Sequence, residues 1–533
     1  MNNQNHPSTR RPAFLGRAFA VTAVLLGLTG CQTYTQQTAE FSQATRSGSL
    51  GQAIVQIDRQ VESSTGKKDE LLYRLEQGAT LFVAGMADPT TVPPPPAPEP
   101  VAPAEPTPEG EVAAVEPVVL TDDDVHAFYY NRAIEAFDVA ETKVNDWEEQ
   151  AKVKLGSEAG AALTNQAALP YRGRSYDKVM MNTYKALSYL ALGETDKARV
   201  ELNRSLQRQR DAVAANEKRI AEAQEQEEAA RRGELKDESG KSASYDSSKA
   251  MNDPRTGPAL SAALAQSIAP MQPYGDYVNP FAVFLDGLFY SVLGEDGSDL
   301  ERGRKSFERV AGMVPGNTYA QADLAAATAA SEGQPVENVT YVIFETGTAP
   351  SRDQLRIDIP TFLVTSKLAY VGASFPKLVY NDSYLPSLSI TAGDAVVSTA
   401  TVASMDSVIA NDFKNEWPTV VTKTLITTAT KAIVQYGVQK VAEDRGGMWG
   451  GLAAGLLMGA VNASTNIADT RTWTSLPKEF QYARITTPES RELTLTAGGT
   501  QKTVTLEPGS VNVVYVKSAS PTAPLYVTQF VLK

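Results

Sequence analysis

The chain predicts an α+β fold, helical through its first half and mainly antiparallel β through its second. Three observations carry this. Between Phe41 and Ala330, blocks of apolar residues recur at three- and four-residue spacing, the period of a buried helix face. Within those blocks small and aromatic residues return at one internal register in three places, the mark of stacked helix pairs. From Thr340 onward, short runs of β-branched and aromatic residues are punctuated by Gly and Pro.

Ahead of both halves, Arg10, Arg11 and Arg17 precede an apolar run of 11 residues, Ala18 to Leu28. At 1.5 Å per residue this gives about 16 Å of helix, short of the roughly 30 Å hydrocarbon core. A basic start, a short apolar stretch and small residues before a cleavage point make residues 1–30 a secretory signal peptide. Leu28-Thr29-Gly30-Cys31 resembles the lipobox of bacterial lipoproteins, which implies acylation of the Cys31 thiol. Gln32 stands where inner-membrane lipoproteins often carry Asp, so the resemblance implies an outer-membrane anchor on the periplasmic side. Residues 31–40 are then a lipidated tether.

Composition narrows the chemistry. A length of 533 residues suggests two to four domains. Cys31 is the single cysteine, so no internal disulfide and no thiolate metal cluster can form. His6 leaves with the signal peptide and His126 remains alone, which excludes a multi-His metal site. Loss of three arginines takes the net charge from −13 to −13 − 3 = −16. Such a chain is repelled by nucleic acid and anionic lipid, so attachment rests on acyl chains, of which two or more suffice.

In the helical half, Leu71, Leu72, Leu75, Ala79 and Phe82 make an apolar stripe that stops near Gly85 and Pro89, closing a helical unit over 41–88. Residues 89–120 form a Pro- and Glu-rich insertion; between 89 and 119 lie 11 of the 31 prolines, too little apolar surface to fold. Thr121-Asp122 caps a helix running to about Gln150. From Tyr171 to Gln209, Ala186, Tyr189, Gly193, Ala198 and Leu202 match the small and large positions of a tetratricopeptide repeat, although Asn182 replaces its Trp and Ser205 its Ala. Nothing stops the second helix before about Arg232, so 121–232 reads as helical repeats with an extended helix. In the extension Leu206, Val213 and Ile220 stand seven apart on a solvated face. A polar linker covers 233–257. A second match covers 258–335, with Gly287, Tyr290, Gly294, Gly303, Phe307, Val310 and Pro315 in register around a turn at Gly297. Gly78, Leu81 and Gly85 fit the first helix of a third copy.

In the β half, 336–533, strands are expected at 340–344, 355–359, 388–391, 395–397, 493–495, 503–506, 511–515 and 525–530, with turns at Gly393, Gly498-Gly499 and Pro508-Gly509. A helical-hairpin insertion is expected at about 404–468. Its first helix starts at Pro418 and shows Val421, Leu425, Ala429, Ile433 and Tyr436. Its second carries Gly451, Gly455 and Gly459 in an apolar stretch, Met448 to Val461, too short to span a bilayer.

Candidate chemistry is sparse. Glu345 precedes a Gly/Pro loop and reads as an exposed charge, with no second carboxylate or base to pair with it. Trp473, in Asp469 to Pro477, reads as a fastener between helices and sheet. These two loops and the segment from Tyr171 to Ala198 resemble a family of bacterial lipoproteins of uncharacterised role with tetratricopeptide-like repeats. The resemblance supports the architecture and implies no activity. The expectation is a non-enzymatic, membrane-anchored scaffold without cofactor or metal, its partner an envelope protein. The alternatives are a carboxylate enzyme on envelope polysaccharide and a membrane-active export accessory using the 448–461 helix.

Overall fold

The computed structural model describes residues 33–96, 120–153, 166–234, 244–272, 274–360, 370–429, 432 and 467–533. The described chain opens on a capping box: the Thr33 hydroxyl accepts from the Gln36 amide, and Gln36 Oε1 accepts from the Thr33 amide. Helices α1 (Tyr34–Gln37) and α2 (Ala39–Ser47) follow and bury Tyr34, Thr38, Phe41 and Ala44. This corrects the expected tether over 31–40. From Thr33 the chain belongs to the body, because Tyr34 and Phe41 gain about 1.5–3 kcal/mol each by leaving water. Gly48, at φ +76°, ends α2 in the left-handed conformation and lets α3 (Leu50–Ser64) turn back.

The remaining helices of this half are α4 (Glu70–Ala84), α5 (Asp122–Val153), α6 (Ser175–Ala191), α7 (Thr195–Arg232), α8 (Ser247–Met251), α9 (Thr256–Ile268), α10 (Pro280–Leu293), α11 (Gly297–Met313) and α12 (Thr318–Ser331). From α2 to α7, and again from α10 to α12, each helix packs on the next in sequence. Close pairs use glycine. A Cβ on Gly78 would lie 2.5 Å from the Phe137 ring and one on Gly85 2.6 Å from Tyr130, so α4 and α5 run antiparallel with aromatics laid on bare backbone. Helix α7 does continue to Arg232, about 57 Å at 1.5 Å per residue, with Val213 45% and Ile220 39% exposed. The expected polar linker is corrected over 244–257: Tyr245 is buried and donates to the Pro360 carbonyl at 3.2 Å, and α8 is capped by Asp246.

A five-stranded sheet takes the order β11 (Tyr526–Val531), β10 (Val511–Ser518), β1 (Val339–Thr346), β7 (Glu479–Thr486), β6 (Ala400–Ser404). A four-stranded antiparallel sheet takes the order β5 (Ala395–Ser398), β4 (Ser389–Ala392), β8 (Glu492–Ala497), β9 (Thr500–Thr505). Strands β2 (Ser351–Pro360) and β3 (Tyr370–Val379) pair as a separate ribbon. The central pair β1–β10 is parallel, with Val342 opposite Val514, so antiparallel pairing is not universal. Parallel neighbours need a long crossover, here everything from 347 to 510. The helices cover one face of the large sheet and the small sheet covers the other, giving three layers.

Between β6 and β7 a helix, α13, spans 405–429 and buries Val421, Leu425 and Ala429. Its start corrects the expectation at Pro418. That proline lies well inside the helix, which begins a dozen residues earlier because Met405, Ile409 and Phe413 are also buried. Burial outweighs the hydrogen bond that proline cannot donate. The second expected helix of the insertion lies outside the described residues.

Candidate functional site: the N-terminal pole and its buried charges

The first helices are clamped from below. Tyr34 packs on Tyr73 with ring centroids 5.6 Å apart, and Thr35 Oγ1 donates to the Arg352 carbonyl at 2.8 Å. On α4 the fully buried Glu76 accepts from the Thr474 amide (2.6 Å), the Thr474 hydroxyl (2.7 Å) and the Ser475 amide (3.0 Å). Burial pushes the Glu76 carboxyl up, and the hydrogen bonds from Thr474 and Ser475 pull back against it. Next to that loop Trp473 is fully buried against Phe137 and Tyr184, and its indole donates to Ser475 Oγ at 2.8 Å. Where α1 and α2 meet the turn at 348–351 and the loop at 474–475, a cavity of about 250 Å³ remains.

Beneath the pole lies a buried charge cluster built by segments far apart in sequence. Arg352 of β2, fully buried, donates to Glu416 of α13 at 3.0 Å, and Arg174, just before α6, donates to the same oxygen. Burial alone would raise the Glu416 carboxyl, but the two guanidiniums hold it well below the usual carboxylate range. One turn earlier, Asp412 is pushed up by burial and by Glu416, and neither of its oxygens has a hydrogen-bond partner among the described residues. Arg352 Nε and Nη1 likewise lack hydrogen-bond partners among the described residues, its guanidinium carbon lying 5.1 Å from the Phe413 ring centroid. Asp177 accepts from Tyr171 (2.5 Å) and the Arg174 amide (2.7 Å), and burial lifts it to about 6. Arg471 closes the group by donating to Asp69 (2.9 Å), Asp469 (2.8 Å) and the Leu169 carbonyl (2.7 Å).

Glu345 requires the main correction. It is not a loop charge but a fully buried residue of β1, set between helices and sheet. Tyr184 of α6 donates to it at 2.7 Å, Tyr515 of β10 at 2.6 Å, and Lys517 of β10 pairs with it directly. Burial and the adjacent carboxylate push both phenols well above their ordinary range. Its oxygens are used internally, and Lys517 also lies 5.6 Å from the Tyr184 ring centroid. The arrangement fixes the helical layer to the sheet.

The positions singled out for repeat packing are placed as follows. Ala186, Ala198, Leu202, Tyr290 and Phe307 are buried, and Gly287 brings the Phe307 ring to 3.1 Å of where its Cβ would be. Gly193, at φ +74°, turns the chain between α6 and α7; Gly294 ends α10, and Pro315 is exposed in the turn after α11. Tyr189 is half-buried with Lys197 5.3 Å from its ring centroid. Where a repeat prefers Trp, Asn182 instead donates to Glu141 (3.1 Å) and Glu201 (2.7 Å). Lys185 completes this buried knot with Asp138 (2.7 Å), Glu141 (2.8 Å) and Glu201 (3.0 Å). The knot escaped sequence reading; its one signal was that Asn182, Lys185 and Glu201 all fall on helix faces that should be apolar. Leu28, Thr29, Gly30 and Cys31 lie outside the described residues.

No helix among the described residues is long and apolar enough to cross a membrane, and no group of three or more His, Cys, Asp or Glu among them is placed to hold a metal ion. No protein-family model, curated protein or solved structure matches the chain.

Proposed function

We propose that this is a lipoprotein held by acylated Cys31 at the periplasmic face of the outer membrane, where it serves as an interaction scaffold for an envelope protein. The carrying observation is at the N-terminus: Thr33, two residues past Cys31, already caps a helix clamped into the core. Acyl chains on Cys31 therefore hold the body against the bilayer rather than on a leash. The helix pairs α4/α5, α6/α7 and α10/α11 read as three degenerate tetratricopeptide-like copies, with α13 and the residues to 468 as a helical-hairpin insertion. Beyond the second pair α7 extends with Val213 and Ile220 exposed seven residues apart, a stripe that a partner helix would cover.

Cys31→Ser tests the anchor: fractionation should find the unacylated chain released from membranes, and retention of a fully active, unacylated chain there sinks the reading. A photoreactive residue at Val213 or Ile220 tests the scaffold in intact cells. It should crosslink one envelope protein that the same probe at Val396 does not reach; no crosslink at either α7 position removes the scaffold role.

A further inference from the structure

The cavity at the N-terminal pole is lined by one charged residue, Arg46, and by no Asp or Glu, in a chain where acids outnumber bases 62 to 49. The Arg46 carbonyl accepts from Ser520 at 2.7 Å, while its guanidinium has no partner among the described residues. Ser42 and Ser351 add hydroxyls and Asn381 an amide, over a floor of Phe41 and Ala349. Of the acids next to the lining residues, Glu76 takes the amides of Thr474 and Ser475, Asp382 pairs with Lys478 at 3.2 Å, and Glu40, between Ala39 and Phe41, is exposed on α2 and does not line the cavity. Thr35, on the cavity wall, is four residues from Cys31, at most about 14 Å of extended chain. Headgroups occupy about 5–8 Å on each side of a bilayer, so acyl chains on Cys31 bring the cavity to headgroup depth.

We infer that this cavity takes the phosphate-bearing headgroup of a glycerophospholipid, and this rests on the anchoring of Cys31 proposed above. Arg46 supplies the charge-assisted hydrogen bonds that guanidinium makes to phosphate. The Ser42 and Ser351 hydroxyls and the second amide hydrogen of Asn381, whose Nδ2 already donates to Thr348 at 2.7 Å, serve the remaining phosphate and glycerol oxygens, and Phe41 and Ala349 meet the first acyl methylenes.

The test separates the site from the anchor. The mature chain carrying Cys31→Ser is titrated with dihexanoyl phosphatidylglycerol below its micelle concentration, by calorimetry. Saturable binding is expected, at least about tenfold weaker in Arg46→Gln and lost in Ala39→Trp, which fills the mouth from an exposed position on α2. Both variants should keep the wild-type melting temperature. No binding, or equal binding by all three proteins, overturns the assignment. Inorganic phosphate and glycerol 3-phosphate should bind at least about tenfold more weakly; equal affinity makes this a free-phosphate site and removes the lipid. Mass spectrometry of the native chain reads acylation independently, so a missing acyl group sinks the anchor while the titration judges the cavity.

Discussion

The two faces of the five-stranded sheet solve the same packing problem with different chemistry. Toward the small sheet, Val342, Phe344, Val514, Val516, Ala483 and Ile485 meet Ile390, Leu493 and Leu495 in apolar contact. Toward the helices, the alternate positions on the same strands offer Tyr341, Glu345, Tyr515, Lys517, Tyr482 and Arg484. That side is organised around two buried acids. Glu345 gathers Tyr184, Tyr515 and Lys517, while Asp323 of α12 accepts from Tyr341 at 2.8 Å and Tyr482 at 2.7 Å. Apolar contact is non-directional and leaves one sheet free to slide on another. A satisfied carboxylate admits one register of helix on sheet, and buried ion pairs add little net stability. The helical face is thus fixed in position, and the apolar face supplies cohesion.

Breaking the helical face gives the largest effect. Glu345→Ala strands Lys517 without its counter-charge and should cost about 3–5 kcal/mol in urea unfolding. The double variant Glu345→Met, Lys517→Met should recover most of that, since it removes both charges together. On the apolar face Leu495→Ala should cost about 2–5 kcal/mol, growing with the cavity left behind, with no pH dependence of its own.

The pH dependence sharpens the contrast. Burial raises Asp323 to about 6 from 3.8. Between those values the folded chain keeps a proton that the unfolded chain has released, so this group's contribution to stability falls as pH rises from about 4 to about 6. Asp323→Asn should remove a share of that fall on the order of 1–3 kcal/mol between pH 4 and 7, read as melting temperature against pH. Gly78→Ala, forced into the Phe137 ring, should cost about 1–3 kcal/mol. Val396→Thr on the exposed edge strand β5, where Val396 is 66% exposed, should shift stability by less than about 0.5 kcal/mol.

What was legible followed local periodicity. The run from Thr340 to Phe344 announced β1 because a strand buried on both faces needs no alternation. Gly498-Gly499 marked the β8–β9 hairpin because both residues adopt positive φ. Strand β7 was missed because Glu479, Gln481 and Arg484 interrupt its apolar residues, and each finds a polar partner from another segment. Strand β3 was hidden by Gly372 and Pro376, which local propensity disfavours in a strand. Glu345 was misread because Gly347 and Pro350 follow closely, while its partners lie 161 to 172 residues away. The charge cluster at Arg352 and Glu416 was invisible for the same reason: no local pattern encodes a meeting of segments from both halves.

The beginning and end of the described chain are knotted together by contacts. Pro524 lies against Gly48, Tyr526 donates to the Gly48 carbonyl at 3.1 Å, and Ser520 donates to that of Arg46. Such pairings close loops of more than 470 residues, the kind that form slowly. An N-terminal segment synthesised first therefore has no finished seat until the last strand arrives. Folding must wait for the whole polypeptide, and premature termination anywhere before β11 would leave the leading helices open to proteases.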